Sequence, residues 1–148
     1  MTIDYSPEEL ASLPVAEFGF PGPLRDQLVT AILAGSKTST TGLVIDYEVC
    51  GEALPRVGER SAVVDSQLRR VAVLEVTGVE VCALDRVDLQ HVVDEGEGHT
   101  SVAQWRAEHE AYWHSAQMRA ALNRPDFTVD DQTQVVLERF RLVGIVDR

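Results

Sequence analysis

The order of the expected elements, namely helix, strands, helices and strand, indicates an α+β fold with one curled sheet. The clearest strand is Arg70–Val81, which is largely apolar on both faces and has Gly78 at an expected bulge or bend. The chain has 148 residues, enough for one hydrophobic core and too few for two separate ones. Its composition, with 45% hydrophobic and 25% charged residues, is that of a globular protein. We therefore expect one main α+β domain.

The first 17 residues are predicted to form a loosely attached N-terminal arm. Ser6 can cap a short helix in this arm, and Pro14 ends the helix. The next segment, residues 18–23, contains two prolines and two glycines and must be irregular. The arm could be disordered or could complete a homodimer. We expect the folded domain to run from residue 18 to residue 148.

Helical and extended segments alternate in the first half of this domain. A helix is expected from Leu24 to about Ala34, because its apolar residues recur at helical spacing and Gly35 is placed to end it. The β-branched and hydroxyl residues of Ser36–Thr41 favour a strand or a tight loop. A further helical turn is expected at Asp46–Cys50, closed by Gly51.

Strands flank a helical region in the second half of the domain. One strand is expected at Ser61–Asp65, and either Asp85 or Asp88 is expected to cap a short helix. A long helix then begins at a capping serine and covers Ser101–Asn123. The apolar alternation in Thr133–Val146 predicts one or two final strands.

The charge of the chain limits its partners. Its formal net charge is −11, from 24 acidic and 13 basic residues. Because binding to nucleic acids depends on Lys and Arg releasing counterions from phosphates, we expect no duplex DNA or long RNA duplex as a partner. A small substrate, or a short RNA segment that meets one basic patch, remains compatible with this charge.

Secretion and membrane insertion are not expected. No stretch approaches the roughly 18–20 apolar residues that a membrane span requires. The acidic and polar N-terminus does not have the pattern of a signal peptide. The two cysteines, Cys50 and Cys82, are expected to be free thiols. We therefore predict a cytoplasmic location and no membrane partner.

The first candidate for chemistry is the segment Gly35–Thr41, which places Lys37 among five hydroxyl residues directly after a helix. A partly desolvated lysine can lose its proton near neutral pH and act as a base. A neighbouring hydroxyl is then the natural nucleophile. The structural alternative is a helix end at which Lys37 interacts with the helix dipole and the hydroxyls form local hydrogen bonds.

The second candidate is the segment Glu95–His99, in which a glycine on each side of Glu97 allows a sharp turn that presents the carboxylate. An apolar wall beside this carboxyl would raise its pKa and let it donate a proton. One alternative is an acidic surface turn before the next helix. Another is a cation site formed by Glu95, Glu97 and His99. We expect no metal ion and no cofactor.

Four segments, in this order along the chain, resemble the ASCH family in its larger bacterial branch. They are Gly35–Thr40, Pro55–Glu59, Glu95–Gly98 and Ser101–His109. The resemblance covers about residues 18–143, and it implies a PUA-like fold, a small β-barrel with flanking helices and a cleft beside the lysine. ASCH proteins are associated with RNA. The activities attributed to them include ribonuclease action and hydrolysis of the acetyl amide of N4-acetylcytidine.

The resemblance also implies roles for individual residues. By resemblance to the amidohydrolase branch of the ASCH family, Lys37 would be the proton acceptor, Thr40 the nucleophile and Glu97 the proton donor. The small amidohydrolases carry an arginine two residues after the threonine, where this chain has Gly42. This chain also has long additions, among them residues 41–52. We therefore expect a cleft shaped for a different substrate.

The resulting hypothesis is a hydrolase of RNA or of a modified nucleoside. Lysine would activate the hydroxyl directly, without a metal, and backbone amides of residues 39–42 would stabilise the oxyanion. The expected substrate-binding residues are Thr38, Ser39, Tyr47 and Trp105. The alternative is a non-catalytic RNA- or nucleotide-binding module in which Lys37 contacts phosphate. The carboxylate of Glu97 separates the two, because a phosphate-binding site gains nothing from it.

Overall fold

One open sheet and six helices make up the part of the fold that the structure describes. The structure is a computed structural model that describes residues 2–3 and 5–146. The strands are β1 (Thr2–Ile3), β2 (Val15–Ala16), β3 (Ser39–Leu43), β4 (Arg60–Val64), β5 (Arg70–Ala83) and β6 (Gln134–Val146). The helices are α1 (Pro7–Ser12), α2 (Pro23–Ala34), α3 (Val44–Cys50), α4 (Leu89–Asp94), α5 (Val102–Trp113) and α6 (Ala116–Leu122), with one turn of 3-10 helix at Leu84–Arg86. The α+β class is confirmed.

The two long strands β5 and β6 pair antiparallel along most of their length and form the centre of the sheet. The strand order is β1-β6-β5-β4-β2, and β3 also pairs with β6. The register of β5 shifts between Val76 and Gly78, so the expected irregularity at Gly78 is present. Within the described residues β3 pairs only with β6, and β2 pairs only with β4. The sheet is therefore not closed, and a barrel is not confirmed.

Two clusters of buried residues form the core. One packs α2 against the middle of the sheet, and it includes Ile32, Val71 and Phe140. The other packs α4, α5 and α6 against the beginning of β6, and it includes Trp105 and Leu122. One cavity is lined by members of both clusters. It therefore lies where the two parts of the core meet.

Most local boundaries follow the sequence pattern. Helix α2 ends at Gly35 with a φ of +83°, and α3 ends at Gly51 with a φ of +68°, a conformation that favours glycine. The short helix α4 is capped by Asp88, whose side chain accepts a hydrogen bond from the amide of His91. The other candidate cap, Asp85, lies in the 3-10 turn instead.

The single long helix predicted for residues 101–123 is wrong, because two helices occupy that range. The first, α5, ends at His114, and Ser115 then adopts extended backbone angles and accepts a hydrogen bond from the amide of Met118. A serine in this conformation starts a new helix. The ring of His114 helps to fix the break, since its Nε2 accepts a hydrogen bond from the amide of Val129 at 3.0 Å.

The N-terminal arm is paired with the sheet at two points. Strand β1 pairs parallel with the end of β6, and β2 pairs parallel with β4. Between them, Ser6 and Glu9 form a reciprocal capping box at the start of α1. The arm is thus attached more firmly than its composition predicts. None of the described helices has the length and apolar character needed to cross a membrane.

Candidate active site

Backbone hydrogen bonds hold the segment that carries Lys37 on both sides. The amide of Lys37 donates to the carbonyl of Ala31 in α2, so the chain turns sharply at the helix end. The amide of Thr38 donates to the carbonyl of Asp94 at 2.8 Å, and the carbonyl of Thr38 accepts from the amide of Phe140 at 3.1 Å. These bonds hold the segment between α4 and β6. As a result, the side chain of Lys37 is only 1% exposed.

The two segments singled out in the sequence are in direct contact. Gly96 has a φ of +70°, and a Cβ built on it would lie 2.5 Å from the carbonyl oxygen of Ser36 and 2.8 Å from the Cα of Lys37. Only a residue without a side chain allows this approach of two backbones. Gly96 therefore explains how the carboxylates after α4 come beside the lysine.

Lys37 is bound by carbonyls and faces two carboxylates. Its Nζ donates to the carbonyl of Ser39 at 2.8 Å and to the carbonyl of Glu95 at 3.2 Å. The same Nζ lies 3.6 Å from Oε1 of Glu95 and 3.7 Å from Oε2 of Glu97. Lys37 and Glu97, predicted to act together, thus lie in one site.

Glu95 is the most extensively bonded carboxylate of the site, and it is buried. Its Oε2 accepts hydrogen bonds from Nε1 of Trp105 at 2.9 Å and from the hydroxyl of Thr41 at 2.5 Å, and it lies 3.2 Å from Nε2 of His91. Its Oε1 lies 3.3 Å from Nε2 of His109. Burial alone would raise the pKa of Glu95. The hydrogen bonds from the two histidines and the charge of Lys37 outweigh burial and hold that pKa below its ordinary value.

Glu97 has the opposite electrostatic behaviour although it is a near neighbour of Glu95. Burial is the largest cause of a raised pKa for Glu97, and the carboxylate of Glu95 raises it further through a hydrogen bond and its negative charge. The charge of Lys37 acts in the other direction but is smaller, and the pKa of Glu97 rises to about 7. Two carboxylates with pKa values pushed apart in this way are typical of sites that transfer protons.

His109 provides positive charge on the far side of Glu95. Burial lowers the pKa of His109, but its hydrogen bond to Glu95 and the negative charges of Glu95 and Glu97 raise that pKa above its ordinary value. Its Nδ1 donates to the carbonyl of Trp105 at 2.9 Å, one turn earlier in α5. The two rings are stacked, with centroids 4.4 Å apart. Trp105 therefore positions both Glu95 and His109.

These groups border a cavity of about 670 Å³. All three residues predicted to be catalytic line it: Lys37, Thr40 and Glu97. Tyr47 lines it as well, and its ring lies over Gly42, where a Cβ would be 3.3 Å from Cε2 of the ring. Burial, and then the negative charge of Glu138, raise the pKa of Tyr47 to about 12. Tyr47 is thus a neutral phenol in the cavity wall.

Three of the expected substrate-binding residues lie outside the cavity lining. Trp105 is fully buried, and its indole N–H is already bonded to Glu95. The hydroxyl of Ser39 is buried and donates to the carbonyl of His91, while Thr38 is exposed and its hydroxyl lies 3.4 Å from the carbonyl of Asp94. The structure gives these three side chains contacts that hold the site together.

Sequence reasoning missed part of the site. Thr41, His91, His109 and Glu138 were not among the expected site residues, although three of them contact Glu95 and all except His91 line the cavity. One signal was present for His109, which lies one helical turn after Trp105 on the same face. The others carry no local signal.

A divalent cation has a possible donor set here, formed by Glu95, Glu97 and His109, whose ligand atoms lie within 4.8 Å of one another. The Nζ of Lys37 is close to both carboxylates, where such an ion would otherwise lie. The lysine thus supplies the positive charge that the carboxylates require. His99, expected in the alternative cation site, is instead paired with Glu108 at 2.6 Å.

Comparison with known proteins agrees with this fold. The sequence profile of the ASCH domain matches residues 15–144. The structure resembles a protein from Enterococcus faecalis V583, with a TM-score of 0.77, 22% identity and coverage of 89% of this chain and 77% of the other. It also resembles an ASCH domain from Lactobacillus crispatus JV V101, with a TM-score of 0.75, 25% identity and coverage of 92% and 82%.

A more distant likeness is to a mutant ASCH protein from Zymomonas mobilis, with a TM-score of 0.51, 12% identity and coverage of 88% of this chain and 70% of the other. No curated protein matches the sequence. Because the ASCH profile spans nearly all of the sheet, the helices and the cavity, the chain belongs to the ASCH domain family.

Proposed function

We propose that this ASCH domain is a hydrolase that cleaves an acyl amide on an uncharged nucleoside. One observation carries the proposal. Nζ of Lys37 lies 3.7 Å from Oε2 of Glu97, whose pKa is raised to about 7, in a cavity that Thr40 also lines. A base, an acid and a hydroxyl nucleophile are the groups that acyl transfer requires.

The hydrogen bonds of Lys37 suit a base. A neutral amine has two N–H groups and one lone pair, and two carbonyls accept from Nζ, those of Ser39 and Glu95. A proton passed from Lys37 to Glu97 therefore leaves an amine whose N–H groups are satisfied and whose lone pair is free. The same transfer makes Glu97 an acid.

The proposed reaction has two stages. The hydroxyl oxygen of Thr40 attacks the amide carbonyl carbon while Lys37 takes the hydroxyl proton. The C–N bond then breaks as Glu97 protonates the leaving nitrogen, which yields the free amine and an acyl ester on Thr40. Water then attacks this ester while Glu97 takes a proton from the water, and the ester C–O bond breaks as Lys37 returns its proton to the oxygen of Thr40, which releases the carboxylic acid and restores all three groups. Strand β3 pairs with β6 on one edge only in the described sheet, so amides on its second edge could stabilise the oxyanion.

The charge of the cavity favours a nucleoside over RNA. Among the described residues that line it, eight are Asp or Glu and three are Lys or Arg. One of the three, Arg25, is only 1% exposed and is bonded to Glu17 and to backbone carbonyls. An acidic cavity repels phosphate groups, and the whole chain has a net charge of −11. Binding of RNA without catalysis is the competing hypothesis.

A turnover assay tests the proposal. Wild type, Lys37→Met, Thr40→Ala and Thr41→Ala would be incubated with N4-acetylcytidine and with labelled single-stranded RNA, in the presence of a chelator, and the products followed by chromatography. We expect release of acetate from N4-acetylcytidine. Lys37→Met and Thr40→Ala should each lose at least about 100-fold in kcat.

Thr41→Ala is the matched control, because Thr41 also lines the cavity but its hydroxyl is bound to Glu95. Its kcat should fall less than that of Thr40→Ala, because it loses a hydrogen bond to Glu95 and not the nucleophile. If Thr41→Ala abolishes turnover and Thr40→Ala does not, the assignment of the nucleophile is wrong. If wild type consumes neither substrate, or consumes only RNA, the proposed amide hydrolysis is refuted.

The proton exchange can be observed directly, because Lys37 is the only lysine in the chain. Labelling with 15N-lysine gives one Nζ resonance, whose shift reports the protonation of that single amine. Glu97→Gln should change its pH dependence, since the proton acceptor is removed. An unchanged titration in Glu97→Gln would contradict the proposed exchange.

A further inference from the structure

Glu138 is a carboxylate in the cavity wall that the reaction above does not use. It lies on β6 directly opposite Thr40 of β3. Side chains of directly opposed residues lie on the same face, with Cβ atoms about 4.5–5.5 Å apart. Both residues line the cavity. Glu138 and Thr40, the residue proposed to attack the substrate, are therefore neighbours in the cavity wall.

No partner within the described part of the chain satisfies this carboxylate. Glu138 is half-buried, and it forms no side-chain hydrogen bond and no ion pair there. The next residue, Arg139, projects to the other face and pairs with Asp94 at 2.6 Å, so it cannot neutralise Glu138. Burial, and then the negative charge of Glu59, raise the pKa of Glu138, while the positive charge of Lys37 acts in the other direction and is smaller.

The cavity wall that contains Glu138 also contains an aromatic ring, that of Tyr47, against which a planar ligand can stack. Gly42 follows Thr40 on the same face of β3, and the ring of Tyr47 lies over it. The negative charge of Glu138 acts on Tyr47, so the two residues are near each other and a flat ligand against Tyr47 can reach Glu138. A half-buried carboxylate without a partner accepts hydrogen bonds from N–H groups and repels carbonyl oxygens.

We infer that Glu138 determines specificity by accepting a hydrogen bond from an exocyclic amine or amide N–H of a nucleobase, and by excluding bases that carry a carbonyl oxygen at that position. This inference rests on the proposed function for the class of ligand. It adds the edge of the base that is read and the residue that reads it. An N–H held at Glu138 also places the adjoining acyl group beside Thr40, where it can be attacked.

A pair of probes that differ at this group tests the inference. Cytidine has an exocyclic amine where uridine has a carbonyl oxygen. Their affinities for the full chain would be measured by calorimetry at about pH 8, where the ionised carboxylate is favoured. Wild type should bind cytidine at least about tenfold more tightly than uridine.

Two variants remove the discrimination in different ways. Glu138→Ala lacks the acceptor, and Glu138→Gln can present either an oxygen or an NH₂ group, so each should bind the two nucleosides within about twofold. Glu138→Gln keeps the size of the side chain, and circular dichroism with urea unfolding would show that it is folded. Glu80→Gln, which removes an exposed carboxylate of β5, is the charge-matched control and should discriminate as wild type does.

The results separate this inference from the proposed reaction. Equal binding of the two nucleosides by wild type, no binding of either, or discrimination retained in Glu138→Ala would overturn the role of Glu138. A wild type that discriminates through Glu138 but does not hydrolyse N4-acetylcytidine would refute the hydrolysis alone. Hydrolysis without discrimination would refute the specificity role alone.

Discussion

Replacing Glu97 with glutamine should make the protein more stable above neutral pH and remove its activity. The carboxyl of Glu97 has a pKa raised from 4.5 to about 7, because the folded site buries it beside Glu95. A carboxyl whose pKa is raised by folding holds its proton more tightly in the folded state. Its ionisation therefore costs stability as the pH rises from 4.5 through about 7. Glutamine cannot ionise and avoids this loss.

The size of the effect follows from the change in pKa. Each pKa unit corresponds to about 1.4 kcal/mol, so the rise from 4.5 to about 7 means that the ionised Glu97 costs the folded state about 3 kcal/mol. This cost already includes the attraction between Glu97 and Lys37, because the charge of Lys37 is one of the causes that set the pKa, so we expect Glu97→Gln to gain about 3 kcal/mol in the free energy of unfolding at about pH 8. Below pH 4.5, where wild type is protonated at this position, the gain should disappear.

Urea unfolding of wild type and Glu97→Gln, at about pH 4 and at about pH 8, measures this difference. Glu80→Gln serves as the control, because Glu80 is exposed and lies outside the cavity. It should show the same difference from wild type at both pH values. The reasoning is refuted if Glu97→Gln is less stable than wild type at about pH 8, or if its gain does not depend on pH. Kinetics on the same samples should show a stable protein with little turnover.

Two further perturbations test the support of the site. Glu95→Ala removes the carboxylate between Lys37 and the two histidines and leaves buried charge without a partner. Urea unfolding should therefore show a free energy of unfolding lower by about 3–5 kcal/mol. A decrease below about 1 kcal/mol would contradict these contacts. Gly96→Ala should lower the free energy of unfolding by at least about 3 kcal/mol, because the added Cβ would meet the backbone of Ser36. Gly98→Ala, at a φ of +84° with open space around it, should cost only about 1 kcal/mol, and equal losses at the two glycines would refute the close approach.

The sequence determined the local features of this protein. Several of these features could be predicted because each depends on the conformational preferences of a few neighbouring residues. They are the helix ends at Gly35 and Gly51, the cap at Ser6, and the irregularity at Gly78 within strand β5. The break at Ser115 could not, since its neighbours also suit a helix and the bond from Val129 to His114 helps to fix it.

The candidate site also has a part that the sequence predicts and a part that only the tertiary structure decides. Lys37 and Glu97 were identifiable because glycine-bounded segments display reactive side chains. The opposite pKa shifts of Glu95 and Glu97, and the position of Glu138 opposite Thr40, were decided only by the tertiary structure. The pKa of a carboxyl depends on its burial and on charges within a few ångströms. For Glu95 those charges include Lys37, 58 residues away along the chain, and no local pattern of residues specifies that distance.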